Sequence, residues 1–229
     1  MKKSIFYAAL LAVTGVTANA QQGVNQGSTG PIDGRTAITS TEKLTTTGSQ
    51  YITEQYMPAK ISGSDQVQLL RYNAFNDYFE INNPQEGKPS MLPKQAGVKI
   101  SFVNNGNEYT TAEYVDRDDN RTNGYLKVIS ETPKVKIYKR ERIYLQPGKI
   151  GTNSYEASKP NTYKQAKDEY YIQIGDAPAQ YFRRDKDLEK LMPNDDLGKE
   201  VRNYIKKNDI ETDEEAGLKQ LGAYLNTIL

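Results

Sequence analysis

The chain has 229 residues, 36% hydrophobic and 26% charged, with 17 Tyr and no Cys, His or Trp. Those absences exclude disulfides, thiolate and imidazole nucleophiles, Ser-His-Asp and Cys-His triads, and nearly every zinc or copper site. Lys plus Arg number 30 against 29 Asp plus Glu, and a formal charge of +1 leaves no chain-wide electrostatic footprint for nucleic acid.

The N-terminus reads Met1-Lys2-Lys3, an apolar run from Ile5 to Val16, then Ala18-Asn19-Ala20 before Gln21. That order of positive, apolar and small-x-small segments predicts an export signal over 1–20, cleaved after Ala20. The run is too short for a permanent span, and no later segment reaches the roughly 20 apolar residues a membrane helix needs. Without a Cys behind the signal a lipid anchor is excluded. The mature chain is expected in the periplasm or outside the cell, held by core packing rather than by cross-links.

Residues 21–48 are rich in Gly, Thr, Ser and Gln and carry few apolar side chains. Such a stretch buries too little surface to offset its ordering entropy, and a flexible tether is expected, with a partly ordered arm around Ala37–Leu44 as the alternative.

From residue 49 to 185 the pattern changes to short alternating runs between turn signals. Gln66–Leu70 and Tyr78–Ile81 are strand candidates. Val98–Val103 and Glu108–Val115 flank Asn104-Asn105-Gly106-Asn107, the signature of a hairpin whose type I′ turn needs positive φ at both central residues. Tyr125–Ile129, Lys134–Lys139 and Arg142–Leu145 follow, with Leu126/Val128, Val135/Ile137 and Ile143/Leu145 expected on one side and Lys and Arg mostly on the other. Gly148–Lys159 reads as a loop. Tyr170–Ile174, a turn at Gly175-Asp176-Ala177-Pro178, and Ala179–Arg183 form a last hairpin.

Residues 186–229 turn helical. Asp187–Met192 makes a short helix stopped by Pro193. Asn194 is placed to cap the next, where Asp195 and Asp196 suit the N-terminal dipole and Leu197, Val201, Tyr204 and Ile205 share one face. Thr212-Asp213-Glu214-Glu215 reads as a capping box before a stripe of Leu218, Leu221, Leu225 and Ile228. These stripes would pack on the sheet or on each other, or form a partner groove. The expected class is α+β: an antiparallel β-sandwich or open barrel followed by a short helical segment packed on it.

Few side chains suggest chemistry. Asp116, Asp118 and Asn120 fit the start of a calcium loop, but Arg121 stands where Gly is required and Lys127 where the bidentate Glu should be, so a solvated hairpin tip is expected and no metal or other cofactor is assigned. The stretch Leu70–Ile81 interleaves aromatics with polar residues. Arg71, Asn73, Asp77 and Glu80 are its candidate ligand-binding residues, on an aromatic and polar surface suited to a sugar or peptide. The plainer reading is a strand–turn–strand with Asn73 and Asp77 bonding backbone amides. Asp77 and Glu80 are also the best available pair of acids for hydrolysis, although residues three apart on a strand face opposite ways. The tyrosines suit a half-buried sheet, and nothing in their spacing gathers them at one site.

Gly48-Ser49-Gln50-Tyr51, Tyr56-Met57-Pro58-Ala59, Leu70–Ala74 and Asp77–Ile81, with Asp168–Tyr171, Lys186-Asp187-Leu188, Tyr204–Asn208 and Leu221–Asn226, resemble a group of exported, functionally uncharacterised proteins of Bacteroidota-type bacteria. The resemblance implies a small exported protein with a helical end and supplies no catalytic residues. The expected function is a non-catalytic binding or interaction module of the cell envelope, with an envelope protein or glycan as partner and no nucleic acid. The alternative is a carboxylate-dependent hydrolase of an envelope or extracellular glycan.

Overall fold

The structure is a computed structural model, and it describes residues 44–229 other than Glu86 and Ser154. The expected export signal and residues 21–43 of the expected tether lie outside the described residues.

Five strands close a barrel: β7 (Glu108–Val115), β8 (Arg121–Glu131), β9 (Val135–Arg140), β12 (Glu169–Ile174) and β13 (Ala179–Phe182). Neighbours in the order β7-β8-β9-β12-β13 are antiparallel. The ring is completed by a parallel pair, Ala179 opposite Tyr114 and Gln180 opposite Val115. Alternation along each strand sends one set of side chains inward. Tyr114, Leu126, Tyr138, Tyr171 and Ala179 fill the interior, one from each strand. The rings of Tyr114 and Tyr171 meet edge-on with centroids 4.9 Å apart.

The outward face of the barrel is covered twice. On one side β7 continues into a sheet through β6 (Lys99–Phe102), β2 (Met57–Ile61), β3 (Val67–Asn73), β4 (Tyr78–Ile81) and β5 (Ser90–Met91). Tyr109 and Tyr125 of the barrel pack there with Leu70, Tyr72, Phe79 and Ile100. Phe79 is wholly buried and lies 4.8 Å from Tyr72 and 4.9 Å from Tyr125, ring centre to ring centre. A small sheet, β1 (Thr46–Thr47), β11 (Asn161–Gln165) and β10 (Ile143–Gln146), adds Ile143 to this core.

On the other side lie the helices α1 (Asp185–Leu191), α2 (Asp195–Lys207) and α3 (Glu215–Ile228). Leu188, Val201, Ile205, Leu218, Leu221 and Leu225 share one core with Ile137, Ile172 and Phe182 of the barrel. The apolar helix stripes are thus spent on the sheet. Asn194 caps α2 as expected, its Oδ1 accepting from Leu197 N at 2.9 Å. At Gly222 a Cβ would collide with Ser130 of β8, so glycine lets α3 lie close on the barrel.

The β-rich architecture with a helical end is the expected one. Several details differ. In the β6–β7 hairpin Phe102 N donates to Asn107 O, leaving a four-residue loop in which Gly106 alone has positive φ (+68°), so the turn is not type I′. Leu126 and Val128 face the barrel interior, whereas Val135 and Ile137 face the helices. The expected polar face is not exposed either: Lys127 and Lys139 are both 8% exposed. Their ammonium groups meet Glu215 at 2.8 and 2.7 Å. That engagement explains a further difference. Glu215 does not fold back on Thr212; α3 starts at Glu215 itself, with Glu214 as N-cap and no side-chain cap bond. The expected tether ends in structure, since Thr46 and Thr47 pair with β11.

Candidate functional site

The β3–β4 hairpin sets Arg71 opposite Glu80. The Arg71 guanidinium reaches Glu80 Oε2 from Nη2 at 2.6 Å and from Nε at 2.8 Å. The Tyr51 and Tyr78 hydroxyls donate to Glu80 Oε1 at 2.9 and 3.1 Å, and that of Tyr56 donates to Oε2 at 3.0 Å. Tyr51 and Tyr56 also sandwich the cation, with the Arg71 Cζ 3.8 and 4.4 Å from their ring centres. Burial pushes the Glu80 carboxyl up, but the hydrogen bonds from Arg71, Tyr51 and Tyr56 outweigh it and hold it below the usual carboxylate range. Burial and Glu80 push the Tyr51 phenol up to about 12.

Asn73 belongs to the same face. Its Nδ2 donates to Gln50 Oε1 at 3.1 Å and to Tyr78 Oη at 3.3 Å, while its Oδ1 accepts from Asn76 N at 3.0 Å. Asp77 does not belong there. It sits at the turn with φ +54°, and its Oδ1 accepts from Tyr72 Oη at 2.8 Å and Tyr125 N at 3.1 Å. Lys94 reaches Oδ2 at 2.5 Å. A Cβ on Gly124 would stand 2.7 Å from that oxygen, so the glycine makes room for the carboxylate. The structure therefore unites Arg71, Asn73 and Glu80 and separates Asp77 from them. The two acids answer to different partners and do not flank a common space. A cleft of ≈ 400 Å³ beside Arg71 is lined by Gln50, Tyr51, Glu54 and Tyr163. Gln50 is tied down as well, donating to Tyr163 Oη at 2.7 Å.

A second constellation lies at one end of the barrel. One alternation beyond the tyrosine-filled interior, β9 and β12 end in the paired residues Arg140 and Glu169, and β13 runs out through Tyr181 to Arg183. The parallel register of β13 on β7, followed two to three residues further, brings Arg117 of the β7–β8 turn level with this layer. Glu169 is 5% exposed. Its Oε1 accepts from Arg142 Nη2 at 2.7 Å and lies 3.8 Å from Arg117 Nε; its Oε2 accepts from Arg140 Nη1 at 3.3 Å and Tyr171 Oη at 3.1 Å. Above this buried carboxylate opens a cavity of ≈ 420 Å³, walled by Arg117, Arg142, Tyr144, Lys167, Tyr181 and Arg183.

Sequence reasoning missed this cavity. Arg117, Arg142 and Arg183 are far apart along the chain, and each follows the end of a strand. The parallel pair that gathers two of them is invisible to local patterning. The tyrosines do cluster, around Glu80 and inside the barrel, contrary to the reading of their spacing. The Asp116–Asn120 segment is a hairpin tip, as expected: Asp116 Oδ1 accepts the amides of Asp118 and Asn120, both at 2.9 Å. Among the described residues no group of three or more Asp or Glu side chains is placed to hold a metal ion. Comparison with protein-family models, with characterised proteins and with solved structures finds no match.

Proposed function

We propose that the chain is an exported, non-catalytic binding module of the cell envelope, which holds an envelope protein or glycan in the mouth of its barrel. One observation carries the reading: the acids offered by the sequence are saturated by internal bonds, whereas the barrel mouth presents guanidinium and phenol groups in a cavity of small-molecule size. Barrel mouths are recurrent ligand sites because inward-facing side chains from several strands converge there. The export half rests on the Met1–Ala20 pattern and on the resemblance to exported proteins. No helix among the described residues is long and apolar enough to cross a membrane.

Sequencing the N-terminus of the protein recovered from cells is expected to begin at Gln21, and a start at Met1 would overturn export. The mature chain, incubated with envelope extract and its polysaccharides, is expected to retain a specific partner that the Arg142→Gln, Arg183→Gln double variant no longer holds, without generating new reducing ends. Retention of nothing would sink the binding reading. Release of reducing ends, abolished by Asp77→Asn or Glu80→Gln, would replace it with a glycan hydrolase.

A further inference from the structure

Resting on the binding-module reading, the geometry points to a ligand class for the barrel mouth: a short oligosaccharide of sugar acids, bearing one carboxylate on each ring. The charge count comes first. The cavity wall carries four cations, Arg117, Arg142, Lys167 and Arg183, against two carboxylates, Asp168 and Glu169. Both carboxylates are already engaged. Asp168 turns to Lys139 at 3.3 Å, and Glu169 is divided between Arg117, Arg140, Arg142 and Tyr171. Among the described residues Arg183 and Lys167 have no carboxylate within salt-bridge distance, and both are exposed. Arg142 gives one Nη2 bond to Glu169, and its Nε is buried without an acceptor. Donors outnumber acceptors, and the deficit is of negative charge.

Shape and chemistry then narrow the class. Guanidinium forks match planar carboxylates in two-point contact, which compact ammonium groups do not. Tyr144 is 48% exposed and Tyr181 half-buried, so the wall also offers aromatic surface on which the C–H face of a sugar ring can lie. The Gln165 side-chain amide on the same wall can meet ring hydroxyls. A cavity of ≈ 420 Å³ admits a segment of small-molecule size. A single-stranded nucleic acid would use the same arginines and tyrosines, but it needs a basic track along its backbone, whereas the four cations here line one cavity of ≈ 420 Å³. An acidic peptide would satisfy the arginines and leave the exposed phenol face of Tyr144 with no ring to cover.

Isothermal titration calorimetry on the mature chain tests this with four probes: tri-galacturonic acid, the neutral galactotriose of the same linkage, tri-glutamate and a short oligothymidylate. The expected result is saturable binding of the uronic acid, at least tenfold weaker for galactotriose, and weakened further as salt rises from about 50 to about 500 mM. Arg142→Gln and Arg183→Gln are each expected to lower the affinity at least tenfold. The Arg183 side chain pairs with no carboxylate among the described residues, and only its backbone amide bonds Asp187, so its variant keeps the test decisive if Arg142→Gln fails to fold. Equal or tighter binding of tri-glutamate, oligothymidylate or galactotriose overturns the assignment, as does uronic acid binding indifferent to Arg183→Gln. A chain that binds no probe yet still retains an envelope partner refutes the sugar-acid class and spares the module reading; a chain that does neither refutes both.

Discussion

The β3–β4 hairpin and the barrel mouth are made of the same side chains and use them in opposite ways. At the hairpin one guanidinium meets one carboxylate, three phenols complete that carboxylate, and two phenol rings cover the cation. At the mouth three guanidiniums share the single buried carboxylate of Glu169. The first arrangement closes on itself and braces the sheet against the segment Gln50–Tyr56. The second leaves donors over. An Arg–Glu–Tyr cluster is therefore no sign of a site in itself; what separates brace from site is the balance of donors and acceptors.

The sharpest way to break that comparison is to unbalance the brace. Arg71→Met keeps the aliphatic stem and strips the charge, leaving Glu80, 6% exposed, with phenols and no cation. Removing one partner of a buried pair leaves an uncompensated charge, and a loss of about 3 kcal/mol in urea denaturation is expected. A loss near zero would reclassify the cluster as an ordinary surface pair. Adding Glu80→Leu to Arg71→Met should recover part of the loss, because the double variant buries no lone charge.

The seam between α3 and the barrel is an intermediate case. Glu215 serves both Lys127 and Lys139, and Lys139 has Glu141 and Asp168 in reserve, both at 3.3 Å. Lys127 has no second carboxylate among the described residues. Glu215→Gln should cost about 2 kcal/mol, less than breaking a fully buried pair because about a third of the Glu215 side chain is exposed. Hydrogen exchange should quicken first in α3. Burial pushes the Glu215 carboxyl up, and Lys127 and Lys139 more than reverse it.

Both depressed carboxyls make the same pH prediction. A carboxyl whose value is lower in the folded chain adds stability that is fully present above its ordinary value, near 4.3 for glutamate, and is lost as pH falls through the lower folded value. The wild type should therefore lose stability on acidification below roughly pH 4.5. Glu80→Gln should flatten part of that slope while lowering stability at neutral pH. An unchanged acid limb would show that Glu80 is not bonded as described. At the alkaline end Tyr51, raised to about 12, adds stability that is lost as pH climbs from its ordinary value through the raised one.

The hairpin that carries the brace could be read from the sequence, but not the closure of Arg71 and Glu80 by Tyr51 and Tyr56. The Leu70–Ile81 stretch carries its own strand–turn–strand pattern, and a positive-φ Asp at the turn is a local event. Asn194 as a cap and the leucine stripes are equally local. The mouth could not be read, because it depends on a parallel pairing between residues 114–115 and 179–180, more than sixty positions apart. β11 was hidden for another reason: Asn161-Thr162-Tyr163-Lys164-Gln165 has one apolar side chain and no alternation, and its strand form comes from its neighbours β1 and β10. The Thr212 capping box was misleading because a tertiary pull won over a local one. Two buried ammonium groups outbid a single backbone amide for the Glu215 carboxylate.

The smallest expected effect on stability is at Arg183, and it separates the two regions most cleanly. The side chain is exposed and has no ion pair among the described residues, so Arg183→Gln should shift unfolding by no more than about 0.5 kcal/mol. Arg142→Gln, which removes the 2.7 Å bond to Glu169, should cost about 1 kcal/mol because Arg140 and Tyr171 remain on that carboxylate. If the mouth is a second brace, the loss of binding in these variants must track their loss of stability. If it is a site, Arg183→Gln lowers the affinity at least tenfold while unfolding shifts by no more than about 0.5 kcal/mol. At the hairpin that dissociation cannot occur, since every group there is already bonded to its neighbour.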